Sequence, residues 1–164
     1  MAKSAIESIL FGQVGEAFKP SDSLKEKGGA FVTIKKKGDL RGCIGYIRAV
    51  LPIYETVKEA AIQAAFHDPR FSPIDRDEWK DIDIEISVLT PFKKIKDVEE
   101  IEVGRHGLYI EQGYDTGLLL PQVATEYSWD RTTFLEHTCH KAGLAKDAWK
   151  SADTTIYIFS AEVF

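Results

Sequence analysis

Cysteine is scarce: the chain has two, Cys43 and Cys139, among 164 residues, too few for a disulfide framework. The reducing cytosol is the expected compartment, and a Cys43–Cys139 bond is not expected there. Long apolar runs are missing as well; none approaches the ~20 residues that cross a bilayer. Residues 1–18 hold a short amphipathic pattern (Ile6, Ile9, Leu10) and two acids, without the apolar core and cleavage site of a secretory signal. Basic charge is in deficit, 21 Lys and Arg against 26 Asp and Glu for a net −5. That balance argues against a broad nucleic-acid face. No G-x-G-x-x-G, Walker loop, nucleophile-elbow serine, CxxC or HExxH stands anywhere in the sequence, which removes the commonest nucleotide, hydrolase and metal readings. No membrane or nucleic-acid partner is expected.

What remains, 44% hydrophobic and 29% charged residues, suits one soluble globular domain over residues 1–164. A helix is predicted over residues 3–11, with Ser4 as a cap and Gly12 beyond its end, followed by a loop over 19–29. Ala30–Ile34 and Leu40–Ile47 read as a β-hairpin whose tip carries the solvated cluster Lys35-Lys36-Lys37. Pro52 opens a helix with Val57, Ala60, Ala61, Ala64 and Ala65 on one face, ended by Asp68-Pro69. Ile82–Leu89 alternates as a half-buried strand, apolar side inward, with Asp83, Glu85 and Ser87 facing solvent. Leu108–Ile110 and Leu118–Leu120 form a second hairpin. Asp130 caps a helix over 131–142 whose inward face is Phe134, Leu135, Thr138, Cys139 and Ala142, and Thr154–Val163 is a final strand. Hairpins with interspersed helices indicate α+β.

The segment Leu40-Arg41-Gly42-Cys43-Ile44-Gly45-Tyr46 sets a glycine close on either side of a thiol in a strand. Glycine persists in a strand where a backbone, a ligand or a bulge comes close. Alternation puts Arg41, Cys43 and Gly45 on one face, with Arg41 near enough to favour a thiolate; a buried core cysteine is the competing reading. In Phe66-His67-Asp68-Pro69-Arg70-Phe71, His67 is a candidate base for Cys43, against a plain helix-end histidine beside a bracing Asp–Arg pair. Glu85 is an acid/base candidate if its face lines a cleft with Arg41 and Cys43. His137 and His140 flank Cys139 on one helix, but two imidazoles without further ligands do not make a metal site. No cofactor is expected.

Taken together, LRGCIGY, DPRF, DIEISVL (83–89), GRHG (104–107), GLLLPQVA (117–124), Trp129-Asp130 and FLEHTCHKAGL (134–144) resemble the AMMECR family, in order and over nearly the whole chain. The resemblance implies an α+β domain with an antiparallel-rich mixed sheet, flanking helices, and a larger and a smaller lobe, with RGCIG beside a cleft. It places Arg41, Gly42, Cys43, Gly45, Asp68, Arg70, Glu85, Gln122 and Glu126 near that cleft. Of these, Cys43, Glu85 and Arg41 are the catalytic candidates, and Gly42, Gly45, Asp68, Arg70, Gln122 and Glu126 the binding candidates. His67, His137 and His140 fall where the family is expected to vary. Company with a Memo-like protein and a radical S-adenosylmethionine enzyme is also implied, in an accessory role that binds a ligand or presents one to those partners. The radical cofactor would belong to the partner, since this chain has no iron–sulfur cysteine motif. The alternative is an enzyme that uses Cys43 as a nucleophile or covalent holder of substrate.

Overall fold

The computed structural model describes residues 1–12 and 18–164; the signal-sequence reading of residues 1–18 partly concerns residues 13–17, outside those described. The chain forms two compact units, Met1–Leu89 with Glu162–Phe164, and Thr90–Ala161. Each carries a four-stranded sheet and helices, so the α+β expectation holds, with the strands divided between two sheets.

In the first unit the strand order is β2-β1-β3-β8, with β1 Ala30–Lys36, β2 Asp39–Tyr46, β3 Ile82–Leu89 and β8 Ala161–Val163. The β1–β2 hairpin turns at Lys37 and Gly38, both at positive φ, the geometry whose twist matches the flanking strands. The predicted solvated tip is more engaged than expected. Lys35 pairs with Glu85, Lys36 with Glu78 and Lys37 with Asp81, at 3.2, 2.9 and 3.7 Å.

Helix α1 (Ala2–Phe11) ends at a left-handed Gly12, as predicted, but starts after Met1, leaving Ser4 inside the helix rather than at its cap. The predicted loop over 19–29 contains a short helix, α2 (Asp22–Lys25). Helix α3 (Ile53–Phe66) follows Pro52 and buries Thr56, Val57, Ala60, Ala61, Ala64 and Ala65. Its alanines present little side-chain bulk, so helix and sheet approach closely, and the core forms with Ala30, Val32, Ile34 and Ile82.

The second unit orders its strands β4-β7-β5-β6: β4 Lys93–Ile95, β5 Gly107–Gln112, β6 Asp115–Leu119 and β7 Thr155–Phe159. Leu120, expected in a strand, instead precedes α4 (Pro121–Glu126). Helix α5 (Arg131–Lys141) begins as predicted, with the Asp130 carboxylate accepting the Thr133 N–H at 2.7 Å. Its inward residues Phe134, Leu135 and Cys139 join Leu108, Ile110, Ile156 and Ile158 in the second core.

The predicted final strand over 154–163 is a correction: it breaks at Ser160 into β7, in the second sheet, and β8, in the first. An apolar run shows a strand but not which sheet receives each part, because pairing partners are distant in sequence. Among the described residues, no helix is long and apolar enough to cross a membrane.

Candidate functional site

Register builds the site. Thr33 of β1 pairs with Cys43 of β2 on one side and with Glu85 of β3 on the other. Directly paired residues share a face, so Cys43, Thr33 and Glu85 form one cross-strand row opposite the α3 face. Thr33 Oγ1 and Cys43 Sγ are 3.3 Å apart, and Lys35 Nζ donates to Glu85 at 3.2 Å. Cys43 and Glu85 are therefore two strand spacings apart, about 10 Å, with a threonine between them. The face is not the uniformly solvated one that alternation implies: Asp83 is exposed, Glu85 half-buried and Ser87 buried.

The main chain of Cys43 is held from the α3 end. Asp68, 3% exposed, accepts the Cys43 N–H at 2.9 Å. It also accepts Arg70 Nε at 3.0 Å and Nη2 at 2.7 Å, while Arg70 Nη2 donates to the Cys43 carbonyl at 3.0 Å. The Asp–Arg pair thus reads Cys43 through its peptide groups. The Arg70 hydrogen bond holds the Asp68 carboxyl well below the usual carboxylate range, against an opposing push from burial. Arg70 is raised in return, by Asp68 first and by Cys43 to a smaller extent.

Arg41 is committed elsewhere. The β1–β2 register shifts so that Ile34 faces Gly42 and Lys35 faces Leu40, leaving Arg41 as the extra residue of a bulge, where alternation no longer fixes a side chain's direction. Its guanidinium forks onto Glu78 at 2.7 and 3.2 Å and donates to the Ser72 carbonyl at 2.7 Å. It makes no hydrogen bond to Cys43 among the described residues. Burial raises the Glu78 pKa, but bonds from Arg41, Lys36 and the Asp75 N–H outweigh it and hold the group at about 2.

Both depressed carboxylates contribute stability that is complete above their unfolded values, near 4, and lost as pH falls through their folded ones. The urea midpoint is expected to fall between about pH 5 and pH 2, and to fall less steeply in Glu78→Gln. Equal slopes in the two proteins would refute that origin.

The two glycines have separate reasons. A Cβ on Gly42 would lie 2.2 Å from the Ala64 carbonyl oxygen of α3. On Gly45 it would lie 2.3 Å from the Phe31 ring and 2.6 Å from the Ala30 carbonyl. The close approach predicted at Cys43 is thus met by this chain's own helix and by a cross-strand aromatic.

His67 is exposed; the hydrogen-bond partner of the Cys43 thiol is Thr33, not His67. Gln122 and Glu126 lie on α4 of the second unit. Cys139 is a buried core residue whose thiol is pushed up by burial, while His137 and His140 are exposed and His137 stacks on Trp129 at 3.9 Å. Thr33 is legible in the alternation of β1 without any mark of a site, and Lys35, expected at a solvated tip, pairs with Glu85 instead. Glu78 and Ser72 carried no signal in the sequence, since their partner Arg41 is 37 and 31 residues away.

A family model described as AMMECR1 matches residues 1–164. A protein of Methanopyrus kandleri is 48% identical over 99% of this chain and 83% of its own length. One from Aquifex aeolicus is 45% identical over 92% of this chain and 83% of its own length. The crystal structure of an uncharacterized protein from Pyrococcus horikoshii superposes with a TM-score of 0.91 at 39% identity, covering 99% of this chain and 85% of that one.

Proposed function

The chain belongs to the AMMECR1 family, and from that premise we propose that it is an accessory protein, binding a ligand or partner at the Cys43 face. The supporting observation is where the charges go. Arg41 is spent on Glu78 and Ser72, Arg70 on Asp68 and the Cys43 carbonyl, and Glu85 on Lys35. An adjacent base is one common way to activate a catalytic thiol, and Cys43 Sγ has a threonine hydroxyl in that place. The groups left facing outward, a half-exposed thiol beside the Lys35–Glu85 pair, suit recognition of a small molecule or peptide. Their rigid support from Asp68 and Arg70 keeps that surface in one arrangement.

The partners proposed from the family resemblance are a Memo-like protein and a radical S-adenosylmethionine enzyme, in a cytoplasmic setting. Tagged protein recovered from its native cell is expected to bring down both, and Cys43→Ala to do so equally well. Recovery of neither sinks the accessory reading. Unchanged folding with complete loss of recovery in both Cys43→Ala and the near-isosteric Cys43→Ser would transfer the weight to a covalent role for the thiol.

A further inference from the structure

The second unit contains a cavity of about 310 Å³ that the proposed role does not use. Its apolar wall is Ile95 at the end of β4, Val98, Ile156 of β7 and the indole of Trp149. Ligand sites begin at roughly this size and combine such a wall with a few polar groups. Here the polar groups are Ser151 and Thr154, whose hydroxyls bond the Asp153 N–H and the Ala148 carbonyl, and the charged Lys96 and Lys150, both exposed.

Neither lysine has an ion-pair partner among the described residues, and Lys150 Nζ lies over the Trp149 ring, 5.2 Å from its centroid. No carboxylate lines the cavity. The acids that follow β4 are engaged elsewhere: Asp97 accepts the Glu99 N–H at 2.9 Å, Glu99 pairs with Arg131 at 2.6 Å, and Glu100 pairs with Lys93 at 2.7 Å. Asp147 and Asp153, in the segment that carries Lys150, form no ion pair with either lysine. Neither ammonium group is therefore tied up in an ion pair beside these apolar side chains. The Trp149 indole Nε1 adds a second anomaly, being buried with no hydrogen-bond partner among the described residues, whereas a buried indole N–H usually has one.

We propose that this cavity binds a small organic anion, an apolar body carrying one carboxylate that the two ammonium groups hold at the rim. The aliphatic wall takes the body, and the lysines select for the charge. The proposal is independent of the accessory role at Cys43, so either can fail alone.

Hexanoate, hexan-1-ol and inorganic phosphate serve as probes for NMR titration of the full chain, followed through the Trp149 indole N–H, assigned with Trp149→Phe. Hexanoate is expected to shift that resonance saturably below about 20 mM, and the other two to bind at least about tenfold more weakly. In Lys96→Gln/Lys150→Gln, hexanoate affinity is expected to drop about tenfold with the thermal midpoint unchanged. No saturable shift, equal binding of hexanol or phosphate, or an unaffected double variant overturns the proposal.

Discussion

Gly42→Ala is expected to destabilise the protein by about 3 kcal/mol or more, at the upper end of what overpacking a core costs. The added Cβ would sit 2.2 Å from the Ala64 oxygen and 3.1 Å from its carbonyl carbon. Both atoms are main chain, so no rotamer change on α3 and no trimming of a neighbouring side chain relieves the clash. Either the helix lifts from the sheet, opening the core around Ala60, Ala61 and Ala64, or β2 bends away and pulls Cys43 from Asp68. For a chain of this length the thermal midpoint should fall by roughly 6–12 °C. A fall of less than about 2 °C would mean that the strand and helix have slack there, and that this glycine serves some other purpose.

Glu78→Ala is expected to cost about 3 kcal/mol, since removing one partner of a buried pair strands the other. The Arg41 side chain is 14% exposed and Glu78 9%; without the carboxylate, the guanidinium keeps only the Ser72 and Pro73 groups, and the Asp75 N–H loses its acceptor. Lys36→Ala, which removes the more exposed partner of the same carboxylate, should cost below about 1 kcal/mol. Urea unfolding of both variants measures the contrast. Similar costs for the two would refute the view that Arg41 is held chiefly by Glu78. The result bears on the site, because an arginine held this firmly positions the bulge of β2 next to Cys43.

Much of the architecture could be read locally. The alternation of Ile82–Leu89, the Asp130 cap, the alanine face of α3 and both hairpins follow from side-chain period, capping chemistry and turn residues, which act within a few positions. The ordered motifs carried the family. Less of the site could be read. Cys43 and Glu85 were visible as candidates, but their separation by Thr33 is a matter of register across three strands.

The sequence by itself determined most of the strands and helices, though not α2, β4 or α4, which faces are apolar, and that Gly42 and Gly45 must admit something close. Only the tertiary structure decided what that something is. Ala64 of α3 and Phe31 of β1 fill those places, and the bulge at Arg41 sends its guanidinium to Glu78. The break at Ser160 likewise sends one apolar run into two sheets. The physical reason is the same in each case. Periodicity and capping depend on neighbours along the chain, whereas a close contact, a register shift or a buried ion pair depends on residues brought together from tens of positions away.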